Sequence, residues 1–175
     1  GIDLRIADAE TGKICANGEI GIIELRGDNV FQGYWEMPEK TAESFREDGF
    51  FITGDMAVRD ADGYVSIVGR DKDLIITGGL NVYPREVESL IDEVAGVQES
   101  AVIGVPHPDF GEAVVAIVAA GPAVVSADAV IEALAGKLAK FKQPKSVHLV
   151  DALPRNSMGK VQKAALRKEY AGLFA

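Results

Sequence analysis

Met158-Gly159-Lys160 puts a lysine directly behind a glycine, in a segment that opens at Pro154 and carries Asn156 and Ser157. Gly-Lys can close a phosphate-binding P-loop, but that motif needs a glycine about five positions before its second glycine and Ser or Thr after the lysine. Pro154 and Val161 occupy those positions, so the P-loop is excluded. What is left is a cation on an irregular loop, either solvated or delivered to an anionic ligand as a point charge. Thr53-Gly54-Asp55 reads as a turn, or as a place where an ionised aspartate accepts two hydrogen bonds from the paired hydroxyls of a ribose. Gly69-Arg70-Asp71-Lys72-Asp73 packs four charges between apolar stretches. It is a solvated linker, or a site where the planar donor fork of Arg70 meets hydroxyls or phosphates. Gly78-Gly79 fits a hairpin turn, or a surface that a ligand skims because no side chain stands in the way. Those two readings are compatible.

Other chemistries find no support in the residue pattern. Cys15 sits in a turn with no histidine nearby, and His107 and His148 make no metal-ligand spacing with it or with each other. A zinc site and a Ser-His-Asp hydrolase are therefore not indicated, and His107, within Pro106-His107-Pro108, is expected in a loop. A net charge of -9 argues against general nucleic-acid binding. That charge is uneven: acidic residues crowd positions 36 to 99, whereas nine lysines and arginines fall between Lys137 and Lys168. Most of these are expected on solvated helix faces, and the arrangement suits an anionic small molecule better than a polymer.

The elements that must hold these groups change character along the chain. Its 175 residues, 47% hydrophobic, suffice for one domain or two small ones. There is no run of about 18 apolar residues and no signal peptide at the start, and a lone cysteine fits a reducing compartment, so a cytoplasmic location is expected. Ile2 to Ala7 and Glu19 to Arg26 alternate as strands, with turns at Gly12 and Asn17-Gly18 between them. Met56 to Arg59 and Tyr64 to Val68 form a hairpin across Asp60-Ala61-Asp62-Gly63. A short helix is expected over Glu39 to Phe45. This half implies a small antiparallel β-barrel segment or sheet. Beyond it, Asp73 to Thr77 reads as a strand and Pro84 as a first helical residue, with Val87, Leu90, Ile91 and Val94 on one face and Gly96 at the end. Ser100 to Val105 and Ala113 to Ala119 are buried strands. Ser126 caps a helix with Val130, Leu134 and Leu138 on one face. Val147 to Val150 is a further strand, and Leu166, Tyr170 and Leu173 line a last helix. Helices on a small sheet make an α+β domain, and the boundary falls between Arg70 and Asp73.

Read in order, these segments resemble the adenylate-forming superfamily of acyl-CoA synthetases, nonribosomal-peptide adenylation domains and luciferases. The resemblance rests on Gly18-Glu19-Ile20, Gly33-Tyr34-Trp35, Asp48 through Asp55, Asp62-Gly63-Tyr64 and Gly69 through Ile75. It continues through Gly78 to Pro84, Glu86-Val87-Glu88, Phe141-Lys142-Gln143-Pro144-Lys145 and Leu153 through Lys160. The ending Met158 to Lys163 is similar to malonyl-CoA synthetases in particular. The resemblance implies that residues 1–71 end the barrel part of a large N-terminal domain and that residues 72–175 are a mobile C-terminal lid. The chain is then too short to be the whole enzyme. By the same resemblance Lys160 is the catalytic lysine of adenylation, Asp55 and Arg70 bind the ATP ribose, and Lys72 is the hinge. Gly78 and Gly79 line the pantetheine tunnel, and Phe141, Lys142 and Lys145 meet the CoA nucleotide, although Gln143 stands where some relatives have arginine. The substrates implied are ATP with Mg2+, coenzyme A and a small carboxylic acid, with the Mg2+ held mainly by the missing N-terminal portion. Acetylation of Lys160 by a lysine acetyltransferase, reversed by a deacetylase, would switch off its charge. Two alternatives stay open: a lid segment that serves as an interaction module, and an adenylation domain that loads a carrier protein.

Overall fold

Strand β1 (Ile2–Ala7) and strand β2 (Ile20–Gly27) pair antiparallel with Ile6 opposite Ile23, and the two side chains share a small core with Ala57. A computed structural model describes residues 1–121 and 125–175 of the chain. Contacts divide it into two compact units, residues 1–72 and 73–175.

In the first unit, helix α1 (Pro38–Ser44) precedes β3 (Phe51–Arg59) and β4 (Val65–Arg70), and the sheet order is β1-β2-β3-β4, antiparallel throughout. The β3–β4 turn forms because the Asp60 carboxylate accepts the backbone N–H groups of Asp62 and Tyr64, at 3.0 and 2.9 Å, while Gly63 takes φ +90°. The barrel expected here is not closed: β1 and β4 are the two edges of an open sheet. Four strands are fewer than small closed or nearly closed barrels use.

Strand alternation marks Glu24 as a solvent-facing residue, yet it is fully buried. Its carboxylate is bracketed at 2.7 Å by Arg5 Nε, directly opposite on β1, and at 2.7 Å by Arg46 Nε. Arg5 in turn lies over the Phe50 ring and binds Asp48, which holds that carboxyl below its ordinary range. A buried ionised side chain persists only when such partners replace its water.

The second unit is a two-sided sheet. Its elements are β5 (Ile75–Thr77), β6 (Leu80–Val82), α2 (Pro84–Ile91), β7 (Val97–His107), β8 (Gly111–Ala120), α3 (Ala127–Leu134), β9 (Ser146–Val150) and α4 (Lys163–Glu169). β7 and β8 form a long antiparallel hairpin, β9 runs parallel to β8, and β5–β6 join at Thr77 opposite Gly111. Residues 113–119 of β8 are apolar at every position because both faces are covered, which defeats simple alternation. Val87 and Ile91 of α2 with Val130 and Leu134 of α3 pack on one face; Leu153, from the loop after β9, and Leu166 of α4 pack on the other.

Several boundaries differ from expectation for local reasons. α2 ends at Ile91, not Gly96: the chain tightens into turns after Asp92, whose carboxylate accepts the Ser100 hydroxyl at 2.7 Å. Gly96, at φ +93°, then turns the chain into β7. His107 lies not in a loop but at the end of β7, opposite Gly111. α4 stops at Glu169, so Tyr170 and Leu173 reach the core from a turn beyond it. Leu138 likewise is buried past the end of α3, whose cap is as expected, with Ser126 Oγ accepting Ala129 N–H at 3.1 Å.

Candidate functional site

In the first unit the structure brings together two of the residues singled out. Asp55 and Arg70 face each other across β3 and β4, with Arg70 Nε 3.0 Å from Asp55 Oδ1. That meeting depends on two irregularities. β3 spends Thr53, Gly54 and Asp55 where β2 spends only Ile23, and β4 carries an extra residue, Val68, between the partners of Met56 and Ala57. Gly54 permits the first, at φ +72°. Thr53 fixes it, because its hydroxyl donates to Ile23 O at 2.8 Å and accepts Asp55 N–H at 3.0 Å. A guanidinium donor fork and a carboxylate acceptor thus stand side by side. Vicinal hydroxyls, which both donate and accept, suit that combination. Lys72 lies in a 3-10 turn (Asp71–Asp73) and is the last residue of the first unit.

In the second unit Gly78 and Gly79 form a two-residue turn joining β5 and β6, at φ +57° and +78°. Both readings of this pair remain compatible with the structure: the turn is a hairpin, and a Cβ placed at Gly79 would meet nothing within 4 Å. The conformation of a type I′ turn explains the requirement for glycine. Gly79→Ala is expected to cost about 1 kcal/mol through left-handed strain alone, with Gly79→Asn costing less. Urea unfolding of the two variants checks this.

Phe110 ties further groups to that turn. Its carbonyl accepts Gly78 N–H at 2.8 Å, its ring lies 4.7 Å from that of His107, and Lys145 Nζ sits 5.0 Å from the ring centroid. The sequence pattern does not bring Phe110 and His107 to the Gly78-Gly79 turn, since a β-hairpin tip has to be recognised first. Phe141 packs its ring against the α2–α3 core, and Lys142 is held by Glu86, both carboxylate oxygens 2.7 Å from Nζ.

Lys160 stands apart on the 151–162 loop. It is exposed, and among the described residues its ammonium has no ion pair. The loop around it is braced: Asn156 Oδ1 accepts the N–H groups of Met158 and Lys160 at 3.0 and 2.9 Å, and Arg155 reaches both Gly159 O and the carboxylate of Glu99 on β7. A rigid backbone carrying an unpaired cation is what delivery of a point charge requires. In the same unit, buried Glu88 joins three elements, since it lies on α2, accepts Val102 N–H of β7 at 2.8 Å, and binds Lys163 at the start of α4. Cys15 is a poor nucleophile: burial pushes its thiol pKa up, and Glu19 and Asp8 push the same way. Among the described residues no cluster of His, Cys, Asp and Glu could hold a metal ion, and no helix is long and apolar enough to cross a membrane.

This arrangement, a two-faced sheet with a braced lysine loop at one end, has known counterparts. Residues 86–160 match the AMP-binding enzyme C-terminal domain. It superimposes on ATP-bound MatB from Rhodopseudomonas palustris with a TM-score of 0.94 at 57% identity, over 100% of this chain and 35% of that one. A (methyl-dioxo-octahydroindenyl)propanoyl:CoA ligase of Rhodococcus jostii is 50% identical over 87% of this chain and 30% of its own length. A long-chain-fatty-acid–CoA ligase of Mycobacterium tuberculosis is 43% identical over 93% of this chain and 32% of its own. The chain thus spans about one third of the length of the relatives it matches.

Proposed function

We propose that this chain is the C-terminal part of an ATP-dependent acyl-CoA synthetase, which activates a carboxylic acid as its acyl-adenylate and transfers the acyl group to CoA. The observation that carries the reading is the family match over residues 86–160, which ends on the exposed, backbone-braced Lys160. In the first half-reaction a carboxylate oxygen attacks the α-phosphorus of ATP, forming the acyl–phosphate bond and expelling pyrophosphate. Lys160 offsets charge on the phosphate and ribose oxygens as it develops, an effect that grows once water is excluded. Asp55 and Arg70 hold the ribose hydroxyls. In the second half-reaction the CoA thiol, losing its proton, attacks the acyl carbonyl and AMP departs. The Gly78-Gly79 turn would let pantetheine pass close to the backbone, with Phe141, Lys142 and Lys145 toward the nucleotide. Lys72 is the position about which the second unit would rotate between the two steps.

The upstream part of the polypeptide would add strands to the open sheet and complete its barrel, and would supply the acid pocket. The Mg2+ that accompanies ATP would be held mainly by that upstream part. Malonate or methylmalonate is the first acid to test because of the likeness to MatB. Relatives named for acids as different as a bicyclic propanoate and a long-chain fatty acid share 43–50% identity with this region, so the region itself does not select the acid. Acetylation of the exposed Lys160 as an off-switch, and a cytoplasmic setting, belong to the same proposal.

The test is to incubate the full-length enzyme with ATP, Mg2+, CoA and a panel of malonate, methylmalonate, acetate and longer acids, and to follow AMP and acyl-CoA. Both are expected for at least one acid. Acyl-adenylate without any transfer to CoA would instead favour a carrier-protein acceptor, and no AMP with any acid would sink the proposal.

A further inference from the structure

Glu86 is the residue whose contacts the proposed reaction leaves unused. It lies in the first turn of α2, a helix anchored by buried Val87, Glu88 and Ile91, so its carboxylate is carried on a firm support. Lys142 is equally well placed. It ends the 3-10 turn Lys140–Lys142, with its N–H donating to Ala139 O at 2.9 Å. The neighbouring Gln143 side chain donates to Leu138 O at 3.0 Å, and Phe141 is packed into the core. The two charges, 56 positions apart in sequence, meet with both carboxylate oxygens 2.7 Å from the ammonium. The lysine side chain is only 23% exposed, whereas Glu86 is 41% exposed. Among the described residues Glu86 is the one carboxylate in ion-pair contact with Lys140, Lys142 or Lys145.

A carboxylate that chelates an ammonium through two oxygens occupies the donors that a phosphate would use, and it repels that phosphate besides. We infer that Glu86 is a built-in competitor for Lys142 and thereby sets the affinity of the enzyme for the phosphate-bearing part of CoA. The inference rests on the acyl-CoA synthetase reading and extends it: Glu86 acts through Lys142 and weakens, rather than supports, CoA binding. Because the pair is preformed on two rigid elements, CoA must displace Glu86 or share Lys142 with it. Removing the negative charge leaves the lysine in place with its donors available.

The experiment uses the full-length enzyme and the KM for the thiol acceptor at saturating ATP and acid. Glu86→Gln is expected to lower KM for CoA about three- to fivefold, the range that an exposed ion pair can supply. It should leave KM for pantetheine, which has no phosphate, where it was. Lys142→Ala should raise KM for CoA, and adding Glu86→Gln to it should bring no further gain. Glu93→Gln, which breaks the separate Lys137–Glu93 contact, serves as the charge control and should not move KM for CoA. A rise in KM for CoA with Glu86→Gln would mean that Glu86 positions Lys142, and would overturn the inference. So would an equal gain with pantetheine. If Lys142→Ala leaves KM for CoA unchanged the inference also fails, while continued acyl-CoA formation keeps the ligase reading. No acyl-CoA from the unmodified enzyme with any acid removes both.

Discussion

Lys160→Ala in the full-length enzyme is expected to slow acyl-adenylate formation by about 10²–10³-fold, the range seen when one preorganised electrostatic contact to a transition state is removed. Lys160 is suited to this because it is exposed and, among the described residues, has no ion pair, while Asn156 accepts its backbone N–H. Transition-state charge on the phosphate is met by a cation already in place, so little reorganisation opposes the step. Transfer of the acyl group from a supplied acyl-adenylate to CoA needs no such cation, and its rate is expected to fall far less. Pyrophosphate exchange and thioester formation, measured separately, check the split. Equal losses in both half-reactions would refute the assignment, since they would point to a disturbed fold rather than a missing charge. Lys160→Arg is a useful companion. It keeps the charge but replaces a compact ammonium by a planar fork, and partial recovery is expected.

Glu24→Ala is expected to destabilise the first unit by about 3–5 kcal/mol, the cost of removing one member of a buried ion cluster and leaving its partners uncompensated. Arg5 and Arg46 both lose their contact in the interior, and the cavity left by the side chain adds to the loss. Against a typical domain stability of about 5–15 kcal/mol, that is enough to populate unfolded chains at ambient temperature. Urea unfolding followed on the chain, with Glu24→Gln as the isosteric comparison, measures it. Glu24→Gln keeps the shape and should cost less than the alanine variant. A loss below about 1 kcal/mol for Glu24→Ala would place the cluster among surface pairs that contribute little.

These two cases show unequal legibility. Local residues marked Lys160 only as a cation on an irregular polar loop, solvated or ligand-facing, and its catalytic assignment comes from the resemblance. Glu24 was not marked, since alternation along β2 assigns it to the outside, and only residues from β1 and the 45–50 segment bring the arginines and Phe50 over it. The same distinction runs through the site. Asp55 and Arg70 were each recognisable as an acceptor and a donor fork. That they form one group depends on the three-against-one irregularity at Thr53-Gly54-Asp55 and the extra Val68. Lys142 was recognisable as a cation near the end of the chain, but its carboxylate partner comes from a helix far upstream. The turn at Gly78-Gly79 was visible, but the strand it makes on its far side was not, because three residues give too short a pattern. The hairpin-rich pattern left barrel and sheet open, and the pairing order β1-β2-β3-β4 makes it an open sheet, a choice that strand-to-strand pairing and not local pattern decides.

By itself, then, the amino-acid sequence determined the identity of the elements, the two-part organisation of their patterns and the ordered motifs that carry the resemblance. Those properties arise from side-chain periodicity and backbone preference, which act over a few residues. Tertiary structure alone decided which charges neutralise one another. Arg5 and Arg46 close on Glu24, Arg70 on Asp55 and Glu86 on Lys142, whereas Lys160 has no ion-pair partner among the described residues. The reason is that an ion pair needs its partners within about 4 Å, and packing of distant elements, not spacing along the chain, sets that distance.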